Sequence, residues 1–374
     1  MKNLIETIIK CTENKKVFIW GYGTLGGMAH FTLRRIGRNI EGIIDSDPGK
    51  QGMTVAGATI IFPYDLLYYD KNDIMILVCS DRGKAEIVKE LESMGFSNEN
   101  YTTAFLDERC EKLTMLNPQL GWCRGEGQLH LSDGSNGDDT KILVLGGSTT
   151  DYSLNGITSW PQFLQNRINK EGKNYAVING AVSGYTSGQE LLSVITYGIS
   201  LRPKYLITYS GYNDAAGVLK YEYNDWHATH TYDELIDIAT RTGNNDSLTM
   251  YYGNEVKESA ELWLRNARMI HAICEEWQIK HIQILQPTIL ITGSMDDNEK
   301  DICENGPYKE IYKNVNDFYK TIKEELKHYD WIADFTDIFA DDDVYYDTCH
   351  VNEEGNRIIS DKVYDLIESN LSED

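Results

Sequence analysis

Twice along this chain an apolar run ends at closely spaced glycines, with a helical pattern as the next periodic element. The first run, Val17-Phe18-Ile19-Trp20, meets Gly21-Tyr22-Gly23-Thr24-Leu25-Gly26; the second, Ile142-Leu143-Val144-Leu145, meets Gly146-Gly147-Ser148. A strand that turns straight into a helix cannot pair with its successor through a hairpin. It returns by a crossover, so the strands lie parallel and the sheet is covered on both faces. Two such starts in 374 residues, more than one hydrophobic core serves comfortably, predict two α/β domains.

The pattern between the two starts supports this. Leu25–Ile36 has helical spacing, IEGIIDSDP reads as strand and turn, and Ile60-Ile61-Phe62 is strand-like ahead of a short helix after Pro63. DIMILVCS is a buried strand and Lys84–Met94 a helix. Together they predict a Rossmann-like parallel sheet over residues 1–109. The leading segment MKNLIETIIKCTENKK reads as an amphipathic helix with Leu4, Ile8 and Ile9 on one face. Residues 110–140, including LNPQLGWCRGEG and SDGSNGDD, keep no sustained period and read as a connecting segment with a short strand at Gln128–Leu131. Over 141–374, strands are expected at Ile142–Leu145, Tyr175–Ile178, Tyr205–Tyr209, His281–Leu285 and Trp331–Phe335. Helices are expected at Trp160–Asn169, Gly188–Ile199, Val256–Trp277, Tyr308–Leu326 and Glu353–Leu371. Five strands with intervening helices predict a flavodoxin-like three-layer α/β/α sandwich.

Charge and composition narrow the partners. A formal net charge of −23 opposes binding to phosphate backbones and anionic membranes, which takes clustered Lys and Arg; no nucleic-acid or membrane partner is expected. No apolar stretch is long enough to span a bilayer, and the amino terminus lacks the apolar core and cleavage site of a secretory leader. The cysteines Cys11, Cys79, Cys110, Cys123, Cys274, Cys303 and Cys349 are odd in number and include no C-x-x-C pair. Free thiols in a reducing cytoplasm are expected.

In an open parallel sheet the functional site lies beyond the carboxyl ends of the strands. Beyond the strands of the second segment stand Gly146-Gly147-Ser148-Thr149-Thr150, then Asn179-Gly180-Ala181-Val182-Ser183-Gly184-Tyr185-Thr186, then Ser210-Gly211-Tyr212-Asn213-Asp214, and last Asp347-Thr348-Cys349-His350. These supply a hydroxyl, flexible glycine backbone, a carboxamide and an Asp/His pair at one edge. A serine at a strand-to-helix turn presents its oxygen there. A histidine can take its proton, and a carboxylate can orient the imidazole and stabilise its cation. The Ser148 and Gly184 backbone N–H groups and the Asn213 amide are candidate donors to an oxyanion, each worth about 3–4 kcal/mol of barrier.

These four blocks, in this order, resemble the SGNH or GDSL-type hydrolase superfamily over about residues 115–374. The resemblance implies Ser148 as nucleophile, Asp347 and His350 completing a triad, and an oxyanion hole of Ser148, Gly184 and Asn213. It implies ester hydrolysis without a cofactor or metal, on a small-molecule or carbohydrate ester. Two positions depart from the family pattern: Gly147 stands where Asp is usual, and Val351 where Pro often follows the histidine. No G-x-S-x-G occurs, which disfavours an α/β-hydrolase.

Each residue also has an ordinary use. Ser148 would cap a helix, Gly184 make a turn, Asn213-Asp214 an Asx turn, and Asp347 and His350 a surface pair before a helix capped by Asn352. The order of all four blocks favours the chemical reading. His227 and His230 lack a third ligand by spacing, Asp341-Asp342-Asp343 reads as a solvated acidic turn, and Cys349 is expected to turn away from His350 and pack. Tyr152, Tyr185 and Tyr212 suit either the pocket or the core.

In the first segment, Gly21, Gly23 and Gly26 with Asp45 nineteen residues later approach a dinucleotide fingerprint. The same stretch, with IIDSDPGKQGMTVAGATIIFPYDL, resembles over about residues 14–105 the amino-terminal nucleotide-binding-like domain of sugar acyltransferases and polysaccharide-modifying proteins. A scaffold is the favoured reading, nucleotide binding the alternative. The sequence thus predicts a cytoplasmic serine esterase removing an acetyl or short acyl group, with O-acyl transfer to a sugar hydroxyl sharing the same chemistry. A nucleotide-sensing or NAD-dependent protein with an inert second domain is the remaining alternative. Oligomeric state is not legible.

Overall fold

The computed structural model describes residues 2–80, 83–104, 114–117, 119–124, 127–137, 139–151, 157–216, 256–292, 294–339 and 343–371. The chain divides into two compact units. The first comprises Met1–Glu111, Ser294–Tyr312 and Tyr346–Thr348; the second comprises Lys112–Gly293, Lys313–Tyr345 and Cys349–Asp374.

The first unit holds strands β1 (Lys16–Trp20), β2 (Gly42–Ile44), β3 (Thr54–Val55), β4 (Ala58–Ile61), β5 (Ile74–Val78) and β6 (Tyr101–Thr102), with helices α1 (Lys2–Cys11), α2 (Thr24–Arg35) and α3 (Lys84–Ser93). The sheet order is β3-β4-β2-β1-β5-β6, and every pair is parallel except β3–β4. Alternate residues of one strand feed different cores. Phe18, Trp20, Ile76 and Val78 pack on one face; Val17, Ile19, Met75 and Leu77 pack on the other. That two-sided burial explains why VFIW and IMILV are continuous apolar runs rather than alternating ones. In α1 the inward residues are Ile5 and Ile8, while Ile9 is 40% exposed. The expected inward Ile9 is therefore corrected: its place on the helix belongs to the solvent side. The Leu4 side chain lies outside the described set.

The second unit begins with a hairpin, β7 (Thr114–Asn117) and β8 (Gly121–Arg124). Nothing in the 110–140 pattern predicts it. Its signal is local: the Asn117 side-chain oxygen accepts from the Gln119 and Leu120 backbone N–H groups, and this Asx turn closes the two strands. Then follow β9 (His130–Leu131), β10 (Thr140–Gly146), α4 (Trp160–Lys170), β11 (Tyr175–Asn179), α5 (Ser187–Ser193), β12 (Tyr205–Ser210), α6 (Tyr212–Ala216), α7 (Val256–Glu276), β13 (Lys280–Leu285), α8 (Ile289–Thr292), α9 (Asp297–Glu304), α10 (Lys309–Glu325), β14 (Ile332–Asp334) and α11 (Glu353–Leu371). Of these, α9 packs in the first unit. The expected helix over Gly188–Ile199 is shorter than its pattern. It widens into a π turn at Val194–Gly198, then tightens at Ile199–Leu201 and ends at Arg202 with φ of 47°.

The second sheet runs β14-β13-β12-β10-β11-β9, with β9 antiparallel to β11 and the rest parallel. Counting the parallel strands alone, the order is 2-1-3-4-5, that of a flavodoxin-like sheet whose direction of winding reverses between β10 and β12. The register pairs Gly146 with Tyr209, Tyr209 with Ile284, and Leu285 with Asp334. The carboxyl ends of these strands therefore meet at one edge, and Ser148 follows β10 at the reversal.

The stretch 294–312 belongs to the first unit through specific contacts. Asp296 caps α9 by accepting from the Asn298 and Glu299 backbone N–H groups, and it pairs with Arg34 at 2.8 Å. Arg35 and Glu299 form a buried pair at 3.3 Å, and the Ala56 N–H donates to Asp301 at 2.6 Å. Gly27 lies so close to Pro307 that a Cβ there would come within 2.5 Å of the proline ring. The sequence pattern gives no hint of this: it predicts no helix at 297–304 and assigns that stretch to the second segment.

Candidate active site

Two turns bring Ser148 and His350 together. After β10 the chain turns on Gly147, whose carbonyl accepts from the Thr150 and Asp151 N–H groups, both at 3.1 Å. This leaves Ser148 half-buried at the sheet edge. Near the carboxyl end, an isolated bridge between Tyr345 and Val351 and an Asn352-to-Val344 backbone bond of 2.8 Å close a loop over 345–351. Asn352 then accepts from Gly355 N–H at 3.0 Å and caps α11. The loop delivers His350, whose Nε2 lies 2.8 Å from Ser148 Oγ. Asp347 is fully buried. Within this short loop the Asp347 carboxylate, the Cys349 thiol and the His350 imidazole each offer an atom within 4.8 Å of the others.

The expected direction of Cys349 is corrected. Its sulfur lies 3.6 Å from His350 Nδ1. The loop is bent rather than extended, so consecutive side chains do not alternate in direction as they would on a strand. Among the described residues, Asp347, Cys349 and His350 are the grouping that could hold a metal ion.

The other two blocks converge from the neighbouring strands. Gly184 has φ of 79°, a left-handed conformation that glycine adopts without strain. Asn213, in the first turn of α6, is buried and donates from Nδ2 to the Tyr185 carbonyl at 2.8 Å. One N–H of an amide remains after that bond. The same nitrogen explains Gly147: a Cβ at 147 would sit 2.6 Å from Asn213 Nδ2. Tyr185 belongs to a core cluster with Leu120 and Val182, and Tyr212 is also buried.

Beneath these loops lies a buried acidic network. Asp214 accepts from the Ser187 N–H at 3.1 Å and from its hydroxyl at 2.6 Å. Burial pushes its carboxyl up to about 6, while the Ser187 bonds pull the other way. Glu190 is fully buried, accepts from Ser210 Oγ at 2.9 Å, and is pushed well above the usual carboxylate range by burial and by Asp214. Ser210 in turn receives the Trp263 indole N–H at 3.1 Å.

A further pair was not singled out in the sequence. Arg124, at the end of β8, and Asp151, three residues after Ser148, form an ion pair at 3.0 Å with side chains 2% and 3% exposed. Arg124 also donates to the Ala181 carbonyl, and the second Asp151 oxygen accepts from Ser183 N–H at 3.1 Å. The available signal was the single arginine in GWCRG within a segment read as a connection. Ser148, Thr149, Asp151, Ser159, His350 and Asn356 line a cleft that Ile157 and Val351 complete.

In the first unit Gly21 and Gly23 form the turn between β1 and α2, and Gly26, in the first turn of α2, is pressed against the Gly21 carbonyl. Asp45 is engaged locally, accepting from Lys50 Nζ at 2.7 Å and from Asp47 N–H at 2.9 Å. Tyr152, His227, His230, Asp341, Asp342 and Cys110 lie outside the described residues. The six described cysteines form no disulfide with one another. No described helix is long and apolar enough to cross a membrane.

Comparison with known proteins adds the following. Residues 144–358 match the GDSL-like Lipase/Acylhydrolase family. No curated protein sequence matches the chain. Similar solved structures include a GDSL-like lipase from Bacteroides thetaiotaomicron, 15% identical, with 62% of this chain and 89% of that one covered and a TM-score of 0.38. An acetylxylan esterase from Geobacillus stearothermophilus is 12% identical, with 63% and 95% covered and a TM-score of 0.42. A psychrotrophic esterase from Pseudoalteromonas sp. is 19% identical, with 63% and 100% covered and a TM-score of 0.37.

Proposed function

Since the chain belongs to the GDSL-like lipase/acylhydrolase family and is an ester hydrolase, we propose that it removes an acetyl or other short acyl group from a polar, carbohydrate-like alcohol through a Ser148–His350–Asp347 triad. The observation that carries this reading is the 2.8 Å separation of Ser148 Oγ and His350 Nε2. That distance lies within the range for proton transfer from a nucleophile to its base.

Ser148 attacks the ester carbonyl as His350 takes its proton at Nε2. Asp347 holds the imidazole and stabilises its cation. The developing oxyanion is met by the Ser148 and Gly184 N–H groups and by the Asn213 N–H not given to Tyr185. His350 then protonates the leaving alcohol, and water, activated by the same imidazole, releases the acid from the acyl-serine. The cleft lining sets polar side chains beside Ile157 and Val351, which suits a short acyl group on a hydroxylated partner. The first unit serves in this reading as a scaffold for the sequence around Gly21 and Asp45, not as a nucleotide site.

The test is hydrolysis of p-nitrophenyl acetate and acetylated sugars by the wild type and Ser148→Ala. The variant is expected to be inactive, and a fluorophosphonate is expected to add mass to the peptide containing Ser148. Full activity in Ser148→Ala sinks the reading. Products diverted to added free sugar in preference to water would assign acyl transfer instead.

A further inference from the structure

We propose that the buried Arg124–Asp151 ion pair is a positioning device for the reaction, fixing the Gly184 loop against the Ser148 turn so that the Gly184 N–H stays aimed into the site. The inference rests on the proposed role of Gly184 as an oxyanion donor. Neither residue touches the reacting atoms in this account; both act through backbone they hold.

The geometry begins with the loop itself. Between β11 and α5 the chain runs Gly180-Ala181-Val182-Ser183-Gly184-Tyr185-Thr186 with no regular structure, so its shape depends on individual bonds. Ala181 N–H donates to the Asn179 side chain at 2.9 Å, and Val182 N–H donates to the Gly146 carbonyl at 3.1 Å. The next two attachments are those of the ion pair. Arg124 holds the Ala181 carbonyl, and Asp151 accepts from Ser183 N–H at 3.1 Å. The peptide plane after Ser183 carries the Gly184 N–H. Fixing Ser183 therefore restricts the direction of the very next donor.

Asp151 is also tied to the nucleophile. Its own N–H donates to the Gly147 carbonyl at 3.1 Å, and it lines the same cleft as Ser148 and His350. One residue thus spans the two loops that must keep register, by its backbone N–H on one side and its carboxylate on the other, and Arg124 completes the bracket from β8. A donor misplaced by an ångström forfeits much of its effect on a transition state.

Stability alone does not account for this choice. Burying an ion pair whose side chains are 2% and 3% exposed costs desolvation that its attraction barely offsets, and apolar replacements of such pairs are often as stable or more so. What an apolar pair cannot do is accept from Ser183 N–H and donate to Ala181 O together. One guanidinium nitrogen, Nη2, makes both attachments, giving one N–H to Asp151 and the other to the Ala181 carbonyl.

The experiment compares Arg124→Gln, Asp151→Asn, the double variant, Arg124→Lys and Ser148→Ala, all in the full chain. Readouts are kcat, KM, thermal unfolding and amide exchange over 179–186. Each neutralising single variant is expected to lower kcat ~10- to 100-fold while KM moves less than ~3-fold, the signature of an interaction made mainly in the transition state. The double variant is expected to lose about as much as the worse single one, because the two act as one unit. Arg124→Lys, whose ammonium keeps the charge and can also donate twice from one nitrogen, is expected to recover part of kcat. Exchange over 179–186 is expected to quicken while β10 and β12 stay protected.

A single variant that leaves one buried charge alone can fail to fold; the double variant, which leaves none, then decides the matter. Folded Arg124→Gln/Asp151→Asn protein with wild-type kcat and unchanged exchange over 179–186 overturns the inference. If Ser148→Ala is inactive in the same series, the proposed function survives that result. If Ser148→Ala is active, the proposed function falls whatever the pair does.

Discussion

His350 Nε2 and Ser148 Oγ lie 2.8 Å apart, although 202 positions of sequence separate them. On the proposed mechanism the two groups exchange one proton, so their losses do not add. Ser148→Ala, His350→Ala and the double variant are each expected to lower kcat by about 10⁴-fold or more, with no further loss in the double. Steady-state kinetics on p-nitrophenyl acetate measures this. A double variant slower than both singles by the product of their effects would mean that the two residues work independently.

Gly147 and Asn213 make a second coupled pair. The Asn213 amide nitrogen fills the space where a side chain at 147 would begin. Gly147→Ala and Gly147→Asp, the latter restoring the residue common in the family motif, are expected to displace that amide and cost about 10²–10³ in kcat, comparable to Asn213→Ala. An active Gly147→Asp enzyme would show that the amide can move aside without loss.

The glycine loop of the first unit is expected to give no heat in calorimetric titration with NAD, NADP or nucleotide sugars. Asp45, the candidate ribose ligand, already receives Lys50 and the Asp47 N–H. Saturable binding abolished by Asp45→Ala would return nucleotide recognition to this loop.

His281 sets part of the acid limit of stability. Burial, aided by the nearby His271 ring, pushes its pKa down to about 3, and its Nε2 pairs with Thr208 Oγ1 at 2.9 Å. Below the ordinary histidine value of 6.5 the unfolded chain takes up a proton that the fold refuses. Stability is therefore full above pH 6.5 and is lost as pH falls toward 3. Replacement by Gln removes this proton. At pH 5 the wild type is expected to have lost about 2 kcal/mol more than His281→Gln, relative to each protein at pH 7, at 1.36 kcal/mol per pH unit. Urea unfolding at the two pH values checks it; parallel losses would exclude His281 as the cause.

Much of the second sheet was legible because its strands are buried on both faces and each ends at small or polar residues. The runs at 142–145, 175–178, 205–209 and 281–285 all lie within observed strands. Ser148, Gly184 and Asn213 were legible as candidates by their place after three of those strands, and His350 by its place between the last strand and the last helix. Arg124 was not, since a charge in a short hairpin outside any periodic pattern gives no sign that a buried carboxylate awaits it. Cys349 was misdirected because the bend at 346–349 obeys no period. The hairpin at 114–124 depended on one Asn side chain, a signal too local for hydrophobic pattern to register.

The placement of α9 bears on the order in which this protein can be made. Chains usually fold their leading part while the rest is still being translated. Here the amino-terminal sheet lacks the partners of Arg34, Arg35 and the Ala56 N–H until residues 296–301 have been synthesised. Late-translated sequence thus completes the earliest part of the molecule. A chain cut in the segment 110–140 would deprive the first piece of this helix and leave Glu299 and Ile302, buried in the whole protein, without their cover on the second. The visible boundary in the sequence is not a seam along which the protein can be divided.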